Sequence, residues 1–181
     1  MLMHKDVEEI LVTEQQIIEK CKELGKQITT DYEGKNPVII ALLKGSVPFF
    51  AELIKRIDCT IETEFIDVSS YSGVNSTGNV VIEKDVTIDL TNRHIVFVED
   101  IVDTGLTLSK VVKIFKERNI ASCEIVTLLN KPEGRKVEDM NPKYIGFEIP
   151  NKFVIGYGLD YDQLYRNLPY VGVLKKEVYS K

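Results

Sequence analysis

His94-Ile95-Val96-Phe97-Val98 is an apolar, β-branched and aromatic run of the kind that forms a strand buried on both faces. Glu99-Asp100-Ile101-Val102-Asp103 follows with three carboxylates, and Thr104-Gly105-Leu106-Thr107-Leu108 turns into a helix. The turn at 103–107 sets several backbone N–H groups and two threonine hydroxyls at a helix N-terminus, where unpaired donors and the helix dipole favour an anion. Gly105 permits a positive φ and close backbone approach. Neither G-x-x-x-x-G-K-[ST] nor G-x-G-x-x-G occurs; Gly156-Tyr157-Gly158-Leu159-Asp160-Tyr161 begins like the latter and lacks its last glycine. The turn therefore reads as a cradle for one phosphate group. Acids beside such a cradle would repel phosphate. They suit sugar hydroxyls or Mg²⁺, which takes carboxylates together with substrate oxygens. Helix capping by Asp100 and Asp103 would supply only ~0.3–1 kcal/mol each and leaves Glu99-Asp100 at a strand end unexplained.

The flanking sequence has the same grammar. Thr13 and Gln16 form a capping box, and Ile17, Cys21, Leu24 and Ile28 recur at helical spacing. Residues 37–43 are a continuous apolar run, read as a second doubly buried strand, with a helix through Phe50, Leu53, Ile54 and Ile57 after it. In 61–67, Ile61, Thr63 and Phe65 alternate with Glu62 and Glu64, which predicts a strand with one solvated face. Residues 69–79 are small and polar, a long loop with the character of a lid. Short strands are expected at 79–83, 125–129, 144–149 and 153–157, and a helix over 106–118. Strands alternating with helices predict an α/β fold with a mostly parallel sheet, whose ligands sit beyond the carboxyl ends of the strands.

Composition narrows the function classes. The 181 residues match one domain, since domains commonly run to ~100–150 residues. Lys and Arg number 23 against 28 Asp and Glu, a net charge of −5 that argues against a nucleic-acid coat or an anionic-membrane binder. Hydrophobic residues at 44% suffice for a real core. Cys21, Cys59 and Cys123 are far apart and form no C-x-x-C, so neither a disulfide framework nor a zinc site is expected. A charged N-terminus, with no apolar run near the ~18 residues of a spanning helix, predicts a cytoplasmic protein.

The run from Val98 to Thr107 resembles the phosphoribosyl-pyrophosphate motif of the type I phosphoribosyltransferases. Leu42-Leu43-Lys44-Gly45, Ser69-Ser70-Tyr71, Leu128-Leu129-Asn130-Lys131, Gly146-Phe147-Glu148-Ile149-Pro150, the segment from Phe153 to Tyr161, and Arg166-Asn167-Leu168-Pro169-Tyr170 extend the resemblance along most of the chain. They point to the purine branch, the hypoxanthine(-guanine) enzymes of bacterial type. The resemblance implies one domain over 1–181: a mostly parallel sheet flanked by helices, a small hood from the N- and C-terminal segments, and a mobile lid loop. It implies purine salvage, with transfer of the 5-phosphoribosyl group from phosphoribosyl pyrophosphate to hypoxanthine or guanine. The products would be IMP or GMP and pyrophosphate, with Mg²⁺ as cofactor. A homodimer or homotetramer is implied, with no nucleic-acid or membrane partner.

The implied roles attach to named residues. Glu99 and Asp100 would hold the ribose hydroxyls and a Mg²⁺, and Asp103, Thr104, Gly105, Leu106 and Thr107 the 5′-phosphate. Asp103 would also be the general base at the purine N7, and Lys131 would donate to O6. Phe153 would stack on the base, Val154 would present backbone groups to it, and Asp160, beside it, would bind a second Mg²⁺. Lys44-Gly45, in a loop expected to carry a cis peptide, and Arg166 would meet pyrophosphate. Ser70 and Tyr71 belong to the lid, and Arg135 falls near the site as a weaker candidate.

Rival readings fit less well. A phosphoribosyl-pyrophosphate-sensing regulator would need a basic face or an added winged helix, and a phosphatase or response-regulator domain would not place Thr104-Gly105-Leu106-Thr107 directly after its aspartate. A xanthine-preferring transferase differs only in the base pocket. Residues 71–75 and 85–94 and Leu164 depart from the family pattern, which bears on lid kinetics and surface contacts, not chemistry.

Overall fold

The two apolar runs lie side by side in the middle of a six-stranded sheet. The computed structural model describes residues 3–70, 80–138 and 140–180, without the side chain of Ser70. In chain order the elements are β1 (Val7–Val12), α1 (Glu14–Tyr32), β2 (Val38–Leu43), α2 (Val47–Ile54), β3 (Glu62–Ser70), β4 (Val80–Lys84) and β5 (His94–Val102). Then follow α3 (Leu106–Lys116), β6 (Ser122–Asn130), β7 (Tyr144–Glu148), β8 (Val154–Ile155), β9 (Val171–Leu174) and α4 (Lys176–Tyr179). The large sheet has the order β4-β3-β2-β5-β6-β7 and is parallel except where β4 runs back against β3. A separate antiparallel sheet, β1-β9-β8, joins the two ends of the chain and corresponds to the expected hood.

Continuous apolar runs were needed because both faces of the sheet are covered. Ile39, Ala41, Val96 and Val98 pack with Ile17, Leu24, Phe49 and Leu53 of α1 and α2. Val38, Ile40, Ile95 and Phe97 point the other way, against Leu108, Val111 and Phe115 of α3. The Phe97 and Phe115 rings meet edge to face at 4.9 Å. The capping box at Thr13 starts α1, whose Ile17, Cys21, Leu24 and Ile28 are buried as their spacing required.

Several sequence expectations are corrected. In the strand at 61–67 the acidic face is not the solvated one: Glu64 is buried beside Ile66 while Thr63, on the other face, is exposed. Phe65 packs on Phe50, and the opposite face is covered by the segment around Val86 and Ile88, whose Thr87 donates to Glu64 from both its amide and its hydroxyl. Ser69 and Ser70 extend β3, paired with Val81 and Val80, and so leave the loop. Residues 71–79, including the lid residue Tyr71, lie outside the described residues. Helix α2 ends at Ile54, before Ile57, and β8 is two residues long where five were expected. Among the described residues no helix is long and apolar enough to cross a membrane.

Candidate active site

Parallel pairing brings the carboxyl ends of β2, β5 and β6 to one edge. Ala41 lies opposite Val98, and Val102 opposite Asn130, so Glu99-Asp100 late in β5 and Lys44-Gly45, Asp103 and Lys131 just beyond their strands gather at that edge. Beyond β5 the chain turns through Gly105, at φ 75° and ψ 0°, into α3. Gly105 at the N-cap has no side chain to cap α3, and the Leu106 amide meets the Thr104 hydroxyl at a long 3.4 Å, so the first turn still points donors at a ligand. A cavity of about 150 Å³ opens there, lined by Glu99, Asp103, Thr104, Gly105, Leu106 and Thr107. The turn from Asp103 to Thr107 therefore borders an open concave space.

The acids sit at its rim in distinct settings. Asp103 is nearly half exposed, and its Oδ2 lies 3.5 Å from the Nζ of Lys131. Lys131 is 6% exposed, so it is no solvated surface lysine. Its backbone amide donates to the Val102 carbonyl at 3.0 Å, which fixes the start of its loop against the end of β5. Glu99 and Asp100 are half-buried by surface area, yet the protein packed around them makes the ionised pair costly. Burial, and then the charge of Asp100, hold the Glu99 carboxyl well above its ordinary range. Burial pushes Asp100 up to about 6, opposed by the Ile101 amide and the charge of Arg166. Gly45 lies against Asp100: a Cβ there would stand 1.7 Å from its Oδ2, so any larger residue would displace this carboxylate. The cis peptide joins Leu43 to Lys44, one bond before the pair the sequence singled out.

Arg166 and Asp160 are brought together, at 2.8 Å. Arg166 also donates to the Gly158 carbonyl at 2.7 Å, and Asp160 accepts from the Gln163 amide at 2.8 Å. Asp160 is thus engaged by Arg166, and among the described residues no three His, Cys, Asp or Glu converge as a ready-made metal cage. Val154 is buried in the hood sheet, paired with Val173, and packs in the core cluster that contains Ile101 and Leu159. Phe153 precedes it and is 40% exposed.

Arg135, a weaker candidate in the sequence, holds a specific place. Its guanidinium donates to the carbonyls of Asp103 at 3.0 Å and Val102 at 3.4 Å, to Asn130 Oδ1 at 2.5 Å, and to the Met140 carbonyl. It therefore clamps the phosphate turn to the loop that carries Lys131. The sequence held one signal for this, an arginine four residues after Lys131. Tyr179, which stacks on Phe153, carried none.

Comparison with known proteins agrees with this geometry. Residues 7–162 match the phosphoribosyl transferase domain family. The hypoxanthine-guanine phosphoribosyltransferase of Streptococcus pneumoniae (strain ATCC BAA-255 / R6) is 55% identical over 180 residues, covering 99% of each chain. That of Lactococcus lactis subsp. lactis is 56% identical, covering 99% of this chain and 97% of its own. A crystal structure of a hypoxanthine phosphoribosyltransferase from Staphylococcus aureus superposes with a TM-score of 0.96 at 51% identity, covering 100% of this chain and 98% of that one. A hypoxanthine-guanine phosphoribosyltransferase from Bacillus anthracis, with HEPES in its active site, gives 0.88 at 42%, covering 93% and 99%. With a family model over 7–162 and relatives more than half identical over nearly the whole chain, this chain belongs to the phosphoribosyltransferase family, on its hypoxanthine-guanine branch.

Proposed function

We propose that this chain carries out purine salvage by transferring the 5-phosphoribosyl group of phosphoribosyl pyrophosphate to hypoxanthine or guanine, releasing pyrophosphate. The observation that carries the reading is the pairing of Asp103 with the buried Lys131, 3.5 Å apart at the mouth of the phosphate turn. A lysine is a donor only, so it selects a base whose C6 substituent accepts, a 6-oxopurine. A carboxylate within reach of the same base can take the proton from its N7.

The turn from Asp103 to Thr107 would hold the 5′-phosphate on backbone amides and hydroxyls. Glu99 and Asp100 would take the ribose hydroxyls, which offer donors to acceptor-only carboxylates. N9 of the base forms the new bond to the anomeric carbon as the bond to the pyrophosphate oxygen breaks, and Asp103 receives the ring proton. Lys44-Gly45 and Arg166 would supply donors to the leaving pyrophosphate, with Arg166 freed from Asp160.

Mg²⁺ fits these residues in the manner it usually binds, through one or two carboxylates plus substrate phosphate oxygens. The high pKa that burial imposes on Glu99 and Asp100 marks a pair of acids whose charge a cation would relieve. These two would hold one ion and Asp160 a second. A bound ion would supply neutralisation of the pyrophosphate charge.

The test is pyrophosphate release with hypoxanthine, guanine, xanthine and adenine in turn, with and without Mg²⁺. Release with hypoxanthine and guanine but not adenine, only with Mg²⁺, is expected. No release with any base would overturn the reading and favour a sensor of phosphoribosyl pyrophosphate.

A further inference from the structure

Phe153 stands just before β8, where successive residues face opposite ways. Val154 joins the cluster of Ile101 and Leu159, whereas Ile155 joins Tyr165, Leu168, Tyr170 and Leu174 in the core of the hood. Phe153 stands on the Ile155 side. There it meets two tyrosines that pack on the same cluster. Tyr161 touches it edge-on, with centroids 5.8 Å apart and planes at 84°. Tyr179, at the end of α4, lies face to face with it, 5.0 Å away at 20°. The turn that carries Tyr179 is anchored: the Lys175 amide donates to the Asp6 carbonyl at 2.9 Å, and the Val178 amide to the Lys175 carbonyl at 3.0 Å.

With Tyr179 stacked on it and Tyr161 set perpendicular to it, Phe153 is still 40% exposed, so part of its ring stays open to a ligand. A ring held in this way cannot tilt without breaking two aromatic contacts. We propose that Tyr179 is a positioning residue for base recognition, backing Phe153 so that the exposed part of its ring is presented as a flat platform to the purine. The proposal rests on the reading of Phe153 as the base-stacking residue. It makes the C-terminal turn part of the base site, although Tyr179 itself touches no substrate.

The test is steady-state kinetics of the full chain with hypoxanthine and phosphoribosyl pyrophosphate varied separately. Tyr179→Ala should raise the KM for hypoxanthine about three- to tenfold, the range one aromatic pair supplies, leave the KM for phosphoribosyl pyrophosphate nearly unchanged, and lower the melting temperature by only a few degrees. Tyr179→Phe keeps the ring and should restore the hypoxanthine KM. An unchanged hypoxanthine KM in Tyr179→Ala overturns the proposal. So does an equal rise in both KM values, the mark of a general structural loss, or a lowered hypoxanthine KM, the mark of a tyrosine seated where the base should go. Phe153→Ala separates the two possible failures. If it leaves the hypoxanthine KM unchanged, the platform reading falls and Tyr179 with it. If it raises that KM while Tyr179→Ala does not, only the role of Tyr179 is overturned.

Discussion

Asp103 combines two positions that are seldom shared: it opens the phosphate turn through its backbone and faces Lys131 with its side chain. Asp103→Asn keeps the size and the backbone but removes the proton acceptor. It should lower kcat by about 10²–10⁴-fold, the usual contribution of a positioned general base, while the KM for phosphoribosyl pyrophosphate moves by no more than about threefold. A kcat near that of the unaltered chain would remove Asp103 from the base role. The acids could be read from the sequence because carboxylates at the end of an apolar strand need a reason that helix capping does not give. Lys131 could be read only through the family resemblance, since a lysine after a strand is normally solvated and it is the fold that shows it at 6% exposure. The same holds for Gly45, whose close approach to Asp100 spans 55 residues and leaves no local trace.

At the scale of elements, the site is two loops fastened together. The loop after β6 meets the turn after β5 through Arg135, and the Lys136 amide adds a bond to the Thr104 carbonyl at 3.0 Å. A planar guanidinium reaches four acceptors at once, which an ammonium cannot do. Arg135→Lys should therefore leave buried carbonyls short of donors, costing about 1–3 kcal/mol of stability. It should also raise the KM for phosphoribosyl pyrophosphate about tenfold, an expectation resting on the ~1.4 kcal/mol equivalence of a tenfold change. Melting curves and the two KM values check both, and an unchanged KM for phosphoribosyl pyrophosphate would confine Arg135 to stability. The parallel core elements were legible because doubly buried strands and an amphipathic, capped helix each leave a distinct period. Of the hood, the residue pattern gave only a strand around β8, expected over 153–157, and the rest came through family resemblance. Glu8, Glu9 and Ile10 of β1 are exposed, β8 has two residues, and β9 is four residues with a glycine inside, so none shows the alternation that marks a strand. Glu64 misled in the opposite sense: an acid predicts solvent until the donors of Thr87, 23 residues away, are in place.

Across the whole molecule, long-range polar ties hold the pieces in register. Tyr165 donates to Asp6 at 2.9 Å across 159 residues, and His4 meets the Tyr170 hydroxyl at 2.5 Å, so the chain ends close the hood together. On the large sheet, Tyr144 at the start of β7 donates to Asp31 near the end of α1 at 2.6 Å, and Lys143 pairs with the same carboxylate at 2.8 Å. This tie lies among surface residues of α1, apart from the residues assigned to the substrates. Lys143 and then Tyr144 hold the Asp31 carboxyl below its ordinary 3.8, despite a small opposing effect of burial. An acid whose pKa is depressed by folding contributes stability that is complete above the unfolded pKa and fades as pH falls through the folded one. Asp31 is more than a third exposed, so solvent screening limits the contribution to about 0.5–1 kcal/mol. Asp31→Asn should then lower the melting temperature by about 1–4 °C at pH 7 and pH 5. The difference should shrink once the pH drops below 3.8, and kcat and both KM values should stay unchanged. Thermal melts across that range decide it: a deficit that stays constant into acid would show that lost packing, not the ionised carboxylate, links α1 to β7.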